Sequence, residues 1–448
     1  MNIETLVNEV KNLAQLSFIH LSDIHFVKSS NDPSDIDKDL RDAIITDLQI
    51  NARENLKNVA GILVTGDIAF SGNRKEYEIA KEYLNRVCNV FHINPSDVYC
   101  VPGNHDVNQS VVNGSDLIFA AQNAVDEKMT IDDADKTFSK YISDNNFNAL
   151  FKPIDEYNEF AKRFECDISS DNIFWQTDFV LEDNLKLRVV GINSSFLSNR
   201  TDHQINKPDR LMYIGQAQIP CYETDVATLL MCHHPPQCWK FKDDILQRIN
   251  KRADIQLYGH MHSQSVEIMD ENAILYSGAV HPTRTVDWLP RYNWITISSR
   301  IENNERILKV EIYPRCLTTD RDSFTIDSTC PLGENHIFHE INIDRKRKSA
   351  LQDHKREVFA KDEIDLCTQS MLVIETSAPI DDRKIIYDFY ELSWIDQIDI
   401  LTQLSLVTKE TSATLDSKMI SEAINRAREQ DRLFELHNKI LNKMEENL

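Results

Sequence analysis

Short apolar runs that end in polar clusters set the rhythm of this chain. Leu16-Ser17-Phe18-Ile19-His20-Leu21 reads as a buried strand and stops at Ser22-Asp23-Ile24-His25. Val59-Ala60-Gly61-Ile62-Leu63-Val64-Thr65 reads as a second strand ending at Gly66-Asp67. Val98-Tyr99-Cys100-Val101 reads as a third, ending in the loop Pro102-Gly103-Asn104-His105-Asp106. Between them the apolar spacing becomes helical. Leu40, Ile44, Ile45, Leu48 and Leu56 predict a helix over about 38–58, and Tyr77, Ala80, Tyr83, Leu84 and Val87 predict one over 75–91. Strand, helix, strand, helix, strand is the order that builds a largely parallel sheet covered on both faces.

Ile3, Leu6, Val10 and Leu13 predict a short amphipathic helix over 1–15, and the polar stretch 29–36 reads as a loop. Residues 107–183 interrupt the rhythm with an aromatic, acidic and mostly helical insert. Beginning directly after the Asn104-His105-Asp106 loop, it is either a cap over a site or a packed surface subdomain. The sheet resumes with Leu187–Ile192, ending at Asn193-Ser194-Ser195, then Ala227–Cys232, ending at His233-His234-Pro235. Ile255–Tyr258 follows and ends at Gly259-His260-Met261-His262. Strand-like runs at Ala273–Val280, Trp294–Ser299, Ile307–Tyr313 and Ile337–Ile343 close a first domain, residues 1–345. Arg345-Lys346-Arg347-Lys348 opens a charged linker over 346–380, read as a solvated tether. A small all-α domain over 381–448 completes the chain. Ser393 caps a helix bearing Ile395, Ile398, Leu401 and Leu404; Ile420, Ala423, Ile424 and Ala427 line another; Leu433, Leu436, Ile440, Leu441 and Met444 line the last.

Charge narrows the partners. A net charge of −23 opposes non-specific attraction to nucleic acid or anionic membrane. Bound divalent metals would reverse the field locally, so a nucleic-acid substrate stays open. Nine scattered cysteines, odd in number and without a C-x-x-C, read as free thiols in a reducing compartment. With no basic-then-apolar leader and no apolar run of about 18 residues, the expectation is a soluble cytoplasmic protein without a membrane partner.

In open α/β sheets, sites assemble at the carboxyl ends of strands. That rule gathers Asp23, His25, Asp67, Asn104, His105, His233, His260 and His262. Singly each has a plainer role: Asp23 as a helix cap, Asp67 in a turn, His260 as a core histidine. Together they are a donor set of carboxylates, imidazoles and an amide. Such a set suits Mn, Fe, Zn, Co or Ni, with Mn favoured, over a Ca²⁺ or Mg²⁺ cage. There are too many donors for one ion. Two divalent metal ions about 3.5–4 Å apart, sharing a carboxylate, fit better and point to hydrolysis of a phosphoester. Asn193-Ser194 is read equally as a substrate contact or a polar turn, and His281 and Arg284 as phosphate contacts or loop residues.

Asp23-x-His25, Gly66-Asp67, Gly103-Asn104-His105-Asp106, His233-x-Pro235 and Gly259-His260-x-His262 occur in this order. All five resemble motifs of the calcineurin-like metallophosphoesterase superfamily. Gly66-Asp67-Ile68-Ala69-Phe70-Ser71-Gly72 and His233-His234-Pro235-Pro236 look most like its cyclic-nucleotide phosphodiesterase-like branch. The resemblance covers about 17–345 and implies a β-sandwich core flanked by helices. It implies Asp23, His25 and His262 as ligands of one metal, Asp67 as the bridging carboxylate, and Asn104, His233 and His260 as ligands of the second. His233 is preferred to His234 for its H-x-P spacing. It further implies His105 as the catalytic residue that assists the leaving group, oriented by Asp106. The implied reaction is direct attack of a metal-activated hydroxide on phosphorus, with no covalent enzyme intermediate.

The tail resembles helical death-like or effector-associated domains of bacterial conflict systems. The resemblance rests on Ile420-Ser421-Glu422-Ala423-Ile424-Asn425-Arg426-Ala427 and Asp431-Arg432-Leu433-Phe434-Glu435-Leu436. It implies a protein partner carrying a like module; the alternative is a plain helical bundle that packs on the catalytic domain or on a second copy of itself. The leading expectation is a two-metal phosphodiesterase acting on nucleic acid or nucleotides as an antiviral effector. The alternatives are a housekeeping phosphodiesterase of cyclic or small phosphodiesters, and an adaptor with an incidental metal site.

Overall fold

Thirteen strands form two mixed sheets in the computed structural model, which describes residues 15–27, 37–143, 148–181, 184–199, 201–202, 211–269, 271–281, 289–349, 381–407 and 417–446. The expected 1–15 helix (but for its last residue), the 29–36 loop, Arg284 and most of the 346–380 linker lie outside them. The chain divides into two compact units. The larger takes residues 1–93, 97–162 and 166–361; the smaller takes 94–96, 163–165 and 362–448.

In the larger unit, one sheet comprises β1 (Gln15–Leu21), β2 (Val59–Val64), β3 (Val98–Cys100), β10 (Arg291–Glu302), β11 (Glu305–Leu317), β12 (Phe324–Ile326) and β13 (Ile337–Asn342). Its order is β12-β11-β10-β1-β2-β3, with β13 also on β11. The other comprises β4 (Phe174–Val180), β5 (Lys186–Ile192), β6 (Val226–Cys232), β7 (Ile255–Tyr258), β8 (Ser265–Met269) and β9 (Asn272–Tyr276), ordered β4-β5-β6-β7-β9-β8. Only β1-β2-β3 and β5-β6-β7-β9 run parallel; the expected largely parallel sheet is two mixed ones. The parallel strands are almost wholly buried, as strands covered on both faces must be. Phe18 of β1 and Tyr99 of β3 meet Phe179 of β4 across the interior, with ring centroids 5.4 and 5.5 Å apart.

The helix expected over 75–91 spans Arg74–Phe91, started by a capping box. Asn73 accepts from the Lys75 N–H, and Glu76 accepts in return from the Asn73 N–H. The helix expected over 38–58 is interrupted: Lys38–Asp47 runs into a π-turn over Leu48–Ala52 before the short Arg53–Asn55. The insert is helical at Gln109–Asn113, Asp116–Asp126, Ile131–Ile142 and Asp155–Ala161, but its last part is β4. Insert aromatics pack inward: Phe160 stacks on Tyr77 at 5.2 Å, and the Tyr157 hydroxyl donates to the Cys100 carbonyl at 2.9 Å. The eight described cysteines form no disulfide. No described helix is long and apolar enough to cross a membrane.

Residues 343–349 are helical rather than the start of a tether. Lys346 and Arg347 are buried, and both pair with buried Asp254, at 2.9 and 2.6 Å. Lys346 also donates to the carbonyls of Ala253 and Glu271.

The smaller unit holds helices Asp382–Glu391, Trp394–Gln403, Ser417–Glu429 and Leu433–Glu446 around Phe389, Ile400, Leu401, Ile420, Ala423, Leu436 and Ile440. Ser393 caps the second by accepting from the Asp396 N–H at 3.2 Å.

Candidate metal centre

Every predicted ligand lies just past the carboxyl end of a strand: Asp23 and His25 after β1, Asp67 after β2, Asn104 after β3, His233 after β6, and His260 and His262 after β7. Crossover connections between parallel strands make this convergence possible. The backbone at the site is unusual. Asp23, His25, Asp67, His260 and His262 all have positive φ, between 52° and 68°. Asp and His tolerate this region better than most side chains, yet each such residue costs of order 1–3 kcal/mol. The surrounding pairing holds them there. The Asp23 N–H donates to Gly66 O at 3.1 Å, and the His25 N–H to Asp67 O at 2.9 Å. The His281 N–H donates to Asp23 O at 2.9 Å.

The described side chains form four overlapping groups, two of which share Asp67, one with His25 and His105 and one with Asp23 and His233. Asp23, His25 and His262 bring their donor atoms within 4.8 Å of one another, and so do His233, His234 and His260. Asp67 stands between the groups, its Oδ2 3.9 Å from His25 Nε2 and 3.4 Å from His233 Nε2. The Asn104 amide oxygen lies 3.1 Å from both His233 Nε2 and His260 Nδ1. His262 Nε2 lies 3.2 Å from Asp23 Oδ1.

Electrostatics here are those of buried charges in need of a counter-charge. Burial opposes ionisation of Asp67, yet His233 and His105 hold its carboxyl well below the usual carboxylate range. Burial likewise opposes ionisation of Asp23, and His262 and His233 overcome it. Burial pushes the His25 imidazole down to about 4, against the pull of Asp67 and Asp23. At His233 burial is outweighed by Asp67 and Asp23, and the imidazole rises to about 9. Asp23 Oδ1 and His25 Nδ1 are buried with no hydrogen bond among the described residues. Buried donor atoms of a carboxylate and an imidazole without a hydrogen bond, Asp23 Oδ1 having only the His262 imidazole at 3.2 Å, fit divalent first-row cations.

His233, expected as a ligand for its H-x-P spacing, is fully buried. Its Nδ1 donates to the Thr65 carbonyl at 2.8 Å, which fixes the tautomer and turns Nε2 toward Asp67 and Asn104. His234 uses Nδ1 on Ser194 Oγ, also at 2.8 Å, while its ring lies 4.4 Å from that of His260. It therefore belongs to the same imidazole cluster.

His105 stands at the open side. Its Nδ1 donates to the Phe70 carbonyl at 2.8 Å, and its ring lies 4.6 Å from that of His25. Asp106 does not orient it directly. Fully buried, Asp106 accepts from the N–H groups of Ile68, Ala69 and Gly103 and from the Tyr77 hydroxyl. It fixes the loop whose Phe70 carbonyl accepts from His105. Burial, with help from Asp67, pushes its carboxyl up to about 6.

The Asn193 side chain accepts from the Ser195 N–H at 2.6 Å, Gln218 brackets its backbone, and its Nδ2 is buried with no hydrogen bond among the described residues. Ser194 supports His234, and His281 Nε2 lies 2.9 Å from Asp37. Sequence reasoning missed Ser22, whose hydroxyl donates to Asp23 Oδ2 at 2.5 Å, and Tyr77 beneath Asp106. Ser22 was findable as the residue before Asp23; Tyr77 carried no such signal.

A two-sheet α/β sandwich with paired donor groups around one carboxylate is the build of a metal-dependent phosphoesterase. Residues 16–264 match the family model described as calcineurin-like phosphoesterase, and the chain belongs to that family. Residues 381–442 match a second, described as GTPase-associated adaptor domain. The chain is similar to the uncharacterized metallophosphoesterase-like protein YydB of Bacillus subtilis (strain 168). The two are 23% identical over 305 residues, covering 65% of this chain but only 58% of that protein's length. Among solved structures it is similar to GAP50, the anchor in the inner membrane complex of Plasmodium, at 12% identity and TM-score 0.38, covering 76% of this chain and 94% of that one. It is also similar to a predicted phosphoesterase from Streptococcus pneumoniae TIGR4, at 12% identity and TM-score 0.27, covering 74% and 99%.

Proposed function

We propose that this chain is a two-metal phosphodiesterase acting on nucleic acid or nucleotides. The observation that carries the reading is the placement of Asp67 between two donor groups, 3.9 Å from His25 and 3.4 Å from His233. Asp23, His25 and His262 would hold one cation and Asn104, His233 and His260 the other, with Asp67 shared and His234 in reserve beside the second. Bound there, two divalent cations, Mn²⁺ favoured, would supply Lewis-acid activation of the attacking water and offset the phosphate charge. His105, its Nδ1–H held by the Phe70 carbonyl, would serve the departing oxygen from Nε2 as a proton donor in its imidazolium form. Asp106 keeps the supporting loop in place.

The pairing of such a domain with a match to an adaptor family supports recruitment of the enzyme to a partner protein through residues 381–442. An adaptor family associated with GTPases favours a partner that contains a GTPase. In this reading the chain is the effector of a bacterial antiviral assembly. The competing reading, a housekeeping hydrolase of small phosphodiesters, has the acidic net charge of −23 in its favour.

The test incubates the Mn²⁺-loaded protein with plasmid, linear single-stranded DNA and RNA, beside His105→Ala. Degradation by the wild type alone supports the nuclease form. Intact polymers, with hydrolysis of small diesters, move the reading to the housekeeping form.

A further inference from the structure

Phe70 is 50% exposed, a large apolar ring open to solvent at the edge of a strongly charged site. Its ring lies 5.4 Å from that of His105 and 6.2 Å from that of His25. Its backbone is fixed from several sides. The Ile68 and Ala69 N–H groups bond to buried Asp106, at 3.2 and 2.9 Å. The Phe70 N–H donates to the Phe26 carbonyl at 3.2 Å, and its own carbonyl accepts from His105. Val27, which follows Phe26, and Met261, between His260 and His262, are exposed as well. A lone exposed phenylalanine needs no explanation. One clamped beside His105 on a loop fixed by buried Asp106 is a built surface.

We propose that Phe70 is the specificity platform for the organic part of the substrate. It takes a flat π-bearing group, a nucleobase or an aryl ring, carried by the oxygen that departs beside His105. This rests on the phosphodiesterase reading above. The metal centre recognises only the phosphate, which every diester shares. Discrimination among diesters must come from what lies next to the scissile bond. A flat group laid on the Phe70 ring sheds water from both faces and gains stacking; an alkyl group gains only the first. Stacking is also indifferent to the acidic surface that repels a long polyanion.

The test uses the full chain loaded with Mn²⁺ and methyl p-nitrophenyl phosphate. Water oxygen bonds to phosphorus and gives up its two protons to solvent, the bond from phosphorus to the aryl oxygen breaks, and p-nitrophenolate leaves with its electron pair while the methyl phosphate dianion remains. Phe70→Leu keeps apolar bulk without a π face, and Phe70→Tyr restores the ring. Phe70→Leu is expected to raise KM roughly tenfold, with Phe70→Tyr close to wild type. Inhibition by inorganic phosphate and bound-metal content should not move. An unchanged KM in Phe70→Leu overturns the platform. So does a parallel loss of phosphate inhibition or metal, which would make Phe70 structural. Absence of any diester hydrolysis by the wild type would overturn the phosphodiesterase reading and the platform with it, whereas hydrolysis with unaltered KM overturns the platform alone.

Discussion

Gly103 makes room for Asp67: a β-carbon at position 103 would lie 2.1 Å from Asp67 Oδ1. The carboxylate proposed to join two cations thus depends on the absence of a side chain on a neighbouring loop. Gly103→Ala should push Asp67 out of line. Bound metal should fall and kcat/KM should drop about a hundredfold, the scale of an ångström's misplacement. Elemental analysis beside a diester assay checks this, with circular dichroism to show the fold retained.

His105 brings a ring nitrogen within 4.8 Å of His25 and Asp67, but its Nδ1 is committed to the Phe70 carbonyl, and in the proposed reading it serves the departing oxygen rather than a cation. His105→Gln should therefore leave metal stoichiometry unchanged while turnover falls by about 10²–10⁴. Equal loss of metal and activity would place His105 among the ligands instead.

Asp106 is a loop clamp with four hydrogen bonds and none to His105. Asp106→Ala leaves buried N–H groups unpaired and should lower both the melting temperature and kcat. Tyr77→Phe removes one of those bonds and should cost only about 1 kcal/mol. Thermal melts and steady-state kinetics on both variants separate the clamp from direct catalysis. A Tyr77→Phe as inactive as Asp106→Ala would contradict it.

Asp254 neutralises two buried cations, Lys346 and Arg347. Asp254→Asn should cost about 3–5 kcal/mol, because it strands them. Burial opposes ionisation of Asp254, yet Lys346 and Arg347 keep its carboxyl below the ordinary range. A depressed carboxyl contributes stability that is present above its unfolded value, about 3.9, and lost as the pH falls through its folded one. Melting temperature against pH should fall on the acid side more gently in Asp254→Asn than in the wild type.

Much of the site was legible because its signals were local. An apolar run stopped by Asp, His or Asn is visible in a few residues, and every predicted ligand falls at such a stop. What escaped was set by distant partners. Lys346 and Arg347 read as a tether because Asp254, which buries them, lies far upstream. β4 was lost inside a helical insert because only Trp175 of its seven residues is buried, as befits an edge strand. Adjacency also misled: Asp106 follows His105 in sequence, yet its carboxylate is spent on the backbone of Ile68, Ala69 and Gly103.

The left-handed backbone at Asp23, His25, Asp67, His260 and His262 restricts which residues can ever occupy these positions. Branched aliphatic side chains are barred by sterics before chemistry is consulted, while Asn, Asp, His and Gly are admitted. A lineage that abandoned catalysis but kept this fold would replace its ligands with Asn or Gly rather than with Val or Ile. Its alignment would still carry the outline of the metal centre after the metals were gone.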